Sequence, residues 1–228
     1  MKYQVRAIAF DAVGTLIEAN PSVATAYQKA ASNAGVELDI NTIKSRFYTT
    51  FSSDCSGADH RTDEQNERVR WRKIVGQCLP ELTESKADIV FAELWEHFAS
   101  PTNWRLFDDV AQLITNISEL NLKMCVASNF DSRLRTVWAE LKGVDVLSNH
   151  LMISSEAGVR KPGEEFYRVV ANHLDEKPAD ILFVGDDWVN DFKVPGELGF
   201  QTIFLDRQGK SGQSTSIKNM NELLQMLL

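Results

Sequence analysis

Five short apolar runs punctuate the chain: Val5–Phe10 (VRAIAF), Lys123–Ala127 (KMCVA), His150–Ser154 (HLMIS), Ile181–Val184 (ILFV) and Thr202–Leu205 (TIFL). Each is rich in β-branched or aromatic residues and lacks a clean polar–apolar alternation, as strands buried on both faces of a parallel sheet do. Between the last four runs lie helical patterns, Asp131–Leu141, Gly163–Leu174 and Asn190–Leu198. Strand–helix alternation of this kind predicts an α/β fold with a Rossmann-like, doubly wound parallel sheet. Such a sheet brings the strand C-terminal ends to one edge, where ligands bind.

The gap after the first run breaks the alternation. Roughly 110 residues follow Phe10 before the next strand pattern, far more than one crossover needs. Residues 20–98 read as helical: Ser22–Asn33, stopped by Gly35, then Thr62–Cys78 and Thr83–Phe98, with a Ser/Gly/Asp-rich loop over Ser52–Asp63. This predicts an inserted α-helical cap domain over residues 17–98 and a core domain over residues 1–16 and 99–228. Helix Asp108–Leu120 returns the chain to the core, and helix Asn219–Leu228 follows a polar loop, Gln208–Thr215.

Composition narrows the function. The chain has 228 residues, 43% of them hydrophobic, and a formal net charge of −8. That charge argues against a broad basic face for nucleic acid and against a polybasic membrane surface. An anionic substrate would need a local cation. No apolar run approaches the ~20 residues of a transmembrane helix, and the N-terminal run reads as a strand rather than a leader. Cys55, Cys78 and Cys125 form no CxxC pair, which suits a reducing, cytoplasmic setting. His60, His97, His150 and His173 lack zinc-ligand spacing, so structural roles are expected.

Four polar signals fall just after predicted strands: Asp11-Ala12-Val13-Gly14-Thr15, Ser128-Asn129, Arg160-Lys161-Pro162 and Gly185-Asp186-Asp187-Trp188-Val189-Asn190-Asp191. Singly, each also reads as a turn, a helix cap or a solvated loop. Jointly, a parallel sheet would deliver them to one crevice holding a nucleophilic carboxylate, a hydroxyl and amide, an ammonium and an acidic cluster. Carboxylates suit Mg2+, the lysine can neutralise phosphate, and an aspartate can attack phosphorus to give an aspartyl-phosphate.

In order and spacing the four elements resemble the haloacid-dehalogenase-like (HAD) hydrolase superfamily, whose cap follows the first motif in many members. The resemblance implies a Rossmann-like fold and Mg2+-dependent hydrolysis of a small phosphorylated molecule. It implies Asp11 as nucleophile, Thr15 closing the first motif, Ser128 and Asn129 at the phosphoryl oxygens, and Lys161 bridging nucleophile and phosphate. It implies Asp11, the Val13 carbonyl and Asp186 as metal ligands, with Asp187 or Asp191 as the second carboxylate.

One position departs from the pattern. Where phosphatases carry a second aspartate, two residues after the nucleophile, this chain has Val13. Valine can neither protonate a leaving alkoxide nor activate water, and general acid–base catalysis is typically worth about 10²–10⁴-fold. Weak phosphomonoesterase activity is therefore expected. Three readings stay open. One is a phosphatase-type hydrolase acting on a leaving group that needs no proton. The second is a catalytically silent phosphate- or metal-binding protein. The third is a 2-haloacid dehalogenase, because FDAVGTL resembles that subfamily's first motif and Tyr167 follows Lys161 by six residues, though Asp186 and Asp187 oppose it. Arg68, Arg70 and Arg72 near Trp71 either face the site or lie on a solvated helix face. Trp188 either covers the entrance or packs, Arg133 serves packing or solubility, and hinges are expected near Ile17–Pro21 and Ala99–Trp104.

Overall fold

The computed structural model describes residues 4–55, 59–209, 213 and 216–228. Parts of the two expected loops, residues 56–58, 210–212 and 214–215, lie outside the described residues. Its strands and helices run β1 (Ala7–Phe10), β2 (Ile17–Ala19), α1 (Val23–Asn33), α2 (Ile40–Cys55), α3 (Glu64–Cys78), α4 (Glu84–Ala99), β3 (Trp104–Leu106) and α5 (Val110–Glu119). Next come β4 (Lys123–Ser128), α6 (Arg133–Ala139), β5 (Leu151–Ile153), α7 (Ser154–Ala157), α8 (Glu164–Leu174) and β6 (Ile181–Gly185). A π-helical turn (Trp188–Lys193), α9 (Val194–Glu197), β7 (Gln201–Leu205), β8 (Ser216–Ile217) and α10 (Met220–Leu227) complete the chain.

Six strands form one parallel sheet in the order β5-β4-β1-β6-β7-β8. The expected apolar runs supply five of them, and the two-residue β8 adds an edge too short for a sequence signal. Phe10 lies opposite Val126 on one side and Val184 on the other. The chain thus leaves β1 with β4 and β6 as neighbours, and the loops after all three strands meet there.

Strand geometry splits each apolar run between two cores, because successive side chains point to opposite faces. Ile8, Phe10, Val126, Leu182 and Val184 face α5, α6 and α10, where Leu113, Ile117, Trp138 and Leu223 are buried. Ala7, Ala9, Cys125, Ile181 and Phe183 face α8, through Phe166, Tyr167 and Val170. Small residues on β1 let α8 approach closely, and aromatic residues fill the space around them.

Helices α1 to α4 pack a third core of their own, around Tyr27, Ile43, Ile74 and Leu94. Ser22 caps α1 by accepting from Thr25 N, and Gly35 ends that helix at φ +81°. The stretch expected to be a loop from Ser52 is helical as far as Cys55. The segments expected as hinges carry short structure, with a 3-10 turn over Pro101–Asn103 in the second. Ile17–Ala19 and Trp104–Leu106 pair as an antiparallel ribbon, with Arg105 bonded to Glu18. Strands of three residues carry too little periodicity to be read from sequence. Among the described residues no helix is long and apolar enough to cross a membrane. Cys78 and Cys125 are free and buried, and burial pushes the Cys78 thiol up to about 11.

Candidate active site

The first loop is set by backbone economy. Asp11 N donates to Val184 O at 2.8 Å, so the residue still belongs to the sheet ladder when its side chain reaches the edge. Leu16 N and Ile17 N then both donate to Ala12 O, closing a tight turn. Gly14 takes φ +90°, and a Cβ there would sit 2.2 Å from Asp186 Oδ2. A side chain at 14 would thus collide with the carboxylate of the fourth motif. Thr15 Oγ1 faces the same group, 3.4 Å from Asp186 Oδ1. The Thr15 carbonyl is held by Arg207 Nη2 at 2.8 Å, and Arg207 is fixed by both oxygens of Asp109.

Lys161 joins the strands chemically. Its buried Nζ donates to Asp11 Oδ1 at 2.8 Å and to Asp191 Oδ1 at 2.7 Å. Burial alone would lower the Lys161 pKa, but Asp11 and Asp191 overcome it and raise the value, so the ammonium stays charged. Asn129 holds the lysine's backbone from both sides. Its Nδ2 donates to Lys161 O and its Oδ1 accepts from Lys161 N, each at 2.8 Å. The structure therefore uses the Asn129 amide to position Lys161, a role the Ser-Asn pair alone does not reveal. Ser128 is buried at the end of β4, at the same sheet edge.

The fourth motif divides its three aspartates. Asp187 Oδ1 accepts from Val189 N and Asn190 N, capping the π-helical turn, while the other carboxylate of the expected pair, Asp191, lies with Asp11 and Asp186. Asp191 points inward, to Lys161, and its Oδ2 accepts from Asp187 N. Gly185 leaves room for it, since a Cβ there would lie 2.2 Å from Asp191 Oδ2. Among the described residues, Asp11, Asp186 and Asp191 are the set that could share a cation, with ligand oxygens within 4.8 Å of one another.

The chemistry of this set fits Mg2+. Its donors are hard oxygens, and one lysine leaves the three carboxylates with excess negative charge. Burial pushes the Asp191 carboxyl up to about 7, against the pull of Lys161. Asp186, although open to water, is raised well above the usual carboxylate range by the protein packed around it and by Asp11, Asp191 and Asp187.

Among the described residues, Lys161 is the only hydrogen-bond partner of the Asp11 side chain, through Oδ1. Val13 packs against the apolar core that includes Phe10 and Leu16, and offers no proton there.

The inserted helices close over this edge at two seams that sequence does not announce. Glu64, at the start of α3, accepts from Ser132 N and Ser132 Oγ at 2.9 Å and from Ser155 Oγ. Beside it, Arg160 N donates to His60 O and Thr62 N to Gly158 O. Arg133 makes the second seam. It pairs with buried Asp131, donates to Trp95 O at 3.0 Å and lies 3.4 Å over the Trp95 ring. Trp188 stacks on Phe192 at 4.4 Å, an ordinary packing role. Trp71 stacks near Phe51, and Arg72 pairs with Asp88, so both take the packing or solvated reading.

A family model described as haloacid dehalogenase-like hydrolase matches residues 5–194. Haloacid dehalogenase-like hydrolase domain-containing protein 3 of Danio rerio is 28% identical over 228 residues, covering 95% of this chain and 90% of its own. Among solved structures, a dehalogenase superposes with a TM-score of 0.78 at 18% identity, over 100% of this chain and 99% of its own. The HAD-hydrolase YfnB of Bacillus subtilis, bound to magnesium, gives 0.79 at 16% identity over 99% of both chains. These two likenesses concern the fold. With the family model spanning most of its length, the chain belongs to the haloacid dehalogenase-like hydrolases.

Proposed function

We propose that the protein is a Mg2+-dependent phosphatase-type hydrolase of small molecules, with Asp11 as nucleophile, acting on phosphoryl groups whose leaving group needs no proton. The observation that carries this reading is the buried contact of Lys161 with Asp11 and Asp191 beside the exposed carboxylate of Asp186. A dehalogenase needs no cation cluster for a halide that leaves unaided. Here the carboxylates exceed the lysine that serves them, and the YfnB neighbour is a magnesium complex.

Asp11, Asp186, Asp191 and the Val13 carbonyl would hold the ion, which would supply positive charge against the substrate's phosphoryl oxygens. Asp11 Oδ2 attacks phosphorus, the bond to the leaving group breaks with its electron pair, and an aspartyl-phosphate results. Water then attacks that phosphorus, its proton leaves to solvent, and the P–O bond to Asp11 breaks, returning the carboxylate and releasing phosphate. Lys161 keeps Asp11 oriented and offsets phosphate charge, with Ser128 and Thr15 at the phosphoryl oxygens. Nothing at position 13 protonates the departing oxygen, so acyl phosphates and phosphoanhydrides are favoured over alkyl esters. In this reading the core is residues 1–16 and 99–228, the cap is residues 17–98, and the setting is the reducing cytoplasm.

Phosphate release is the test. With Mg2+, the first-turnover phosphoryl transfer from acetyl phosphate or pyrophosphate should be at least ~10²-fold faster than from a simple alkyl phosphate, the scale of a missing general acid. Equal rates would sink the leaving-group argument. The dehalogenase reading, which the absence of an acid at Val13 and the dehalogenase neighbour favour, expects metal-independent halide release from chloroacetate. Silence on all substrates with Mg2+ bound would mark a binding protein.

A further inference from the structure

The π-helical turn that carries Asp191 has a defect written into its sequence. In a helix of this kind a carbonyl accepts from the N–H five residues on. Val194 N does so, donating to Val189 O. The next carbonyl, Asn190 O, would need the N–H of residue 195, and residue 195 is proline. The orphaned carbonyl is buried with its residue, and burying it unsatisfied would be costly. The hydroxyl of Tyr167 fills the vacancy, donating to Asn190 O at 2.6 Å.

The partner is well chosen. Tyr167 lies on α8, the helix that begins just after Lys161, and its ring is fixed against Phe166, Phe183 and Phe200. Two ties therefore join the same two segments. Lys161 Nζ reaches Asp191 Oδ1 at 2.7 Å, and one residue earlier on the turn Tyr167 reaches Asn190 O. The Asn190 side-chain oxygen is buried without a partner, so the backbone carbonyl is the anchored group.

We propose that Tyr167 is a positioning residue: its hydroxyl replaces the N–H that Pro195 cannot give, and so fixes the turn that sets Asp191 against Lys161. The role for the cation site rests on reading Asp11, Asp186 and Asp191 as that site. The tie itself does not, and the two are read separately.

The test compares wild type, Tyr167→Phe, Pro195→Ala and the double variant, by amide hydrogen exchange without metal and by Mg2+ titration calorimetry. Tyr167→Phe keeps the ring and removes the donor. Exchange at Val189–Asp191 should rise about tenfold while that of β6 stays at the wild-type level. Mg2+ affinity should fall about tenfold, the lower end for groups that orient ligands. Adding Pro195→Ala supplies an N–H to the same carbonyl and should restore both readings, while Pro195→Ala alone should change neither. Unchanged exchange in Tyr167→Phe overturns the proposal. So does a rise spread evenly over the sheet, or a double variant worse than Tyr167→Phe. A wild-type protein that binds no Mg2+ would overturn the cation-site reading, and the exchange data would still judge the tie.

Discussion

Charge is handled in opposite ways on the two sides of the cleft. On the sheet edge, Asp11, Lys161 and Asp191 come from three loops far apart in sequence and are buried against one another. In the helical insert, Arg46–Glu81 and Arg72–Asp88 lie toward the surface, and the interior is a chain of aromatic contacts from Tyr27 through Phe47 and Phe51 to Trp71. Buried charges persist only where partners hold them, so each member of the first group depends on the others. Surface pairs are nearly independent. The sheet edge spends polar groups on a site, whereas the insert spends most of its own on solubility and on the seams that hold it down, with Glu67 and Arg70 a buried exception.

Lys161→Met should separate the two sides most sharply. It leaves Asp11 and Asp191 buried without their shared cation, and breaking such a contact typically costs about 3–5 kcal/mol. The urea midpoint should fall accordingly, with turnover undetectable. Part of the loss should return with Mg2+, because a ligand that binds the folded state stabilises it. A variant as stable as wild type would mean that the lysine is not the counter-charge of the cluster.

Gly14→Ala should follow, with less effect on folding and more on the cation. The added Cβ falls 2.2 Å from Asp186 Oδ2 in a backbone at φ +90°, so the carboxylate must move. Mg2+ affinity should drop by about 10–100-fold, as for groups that orient metal ligands. Calorimetric titration checks it, and an unchanged affinity would remove Asp186 from the site.

The same contrast explains what sequence could reveal. Buried parallel strands leave compact apolar runs, and the loops after them carry short motifs, so Asp11, Lys161, Asp186 and Asp191 could be placed at one edge before any coordinates. What escaped depends on three-dimensional partners. Asp187 and Asp191 are equivalent as text, and only the π-helical turn assigns one to a cap and the other to Lys161. Asn129 reads as a phosphate donor, and its hold on the Lys161 backbone shows only in the structure. Glu64 and Arg207 belong to no motif, and each meets partners between 68 and 192 residues away. Tyr167 shows in the sequence only by its spacing from Lys161, not by its bond to Asn190. The ribbon of β2 and β3 is too short to show a period.

Glu64→Ala tests the seam. Its carboxylate bonds Ser132 and Ser155 across the cleft, at a partly wet boundary. Losing them should raise KM roughly 5–10-fold, about 1 kcal/mol, the typical net worth of a hydrogen bond at a wet boundary, with Mg2+ affinity unchanged. Ser132→Ala in the same background should add less than it does alone, since both remove one contact. Full additivity in steady-state kinetics would show that the contact does not hold the insert closed.

The smallest effect is expected two residues apart on one helix. Arg72 and Asp88 are half exposed, so Arg72→Ala should leave the urea midpoint and KM at wild-type values in ordinary salt. Arg70 differs because it pairs with Glu67, a buried carboxylate that also accepts from Thr62. Arg70→Ala should lower the unfolding free energy from urea titration by about 1–3 kcal/mol, the range for a charged group left short of a partner. Equal effects from the two would erase the distinction between buried and surface charge within the insert. A rise in KM from Arg72→Ala would go further. It would turn this face of α3 toward the substrate and give the insert a second anion contact, the reading of these arginines that the Asp88 pair opposes.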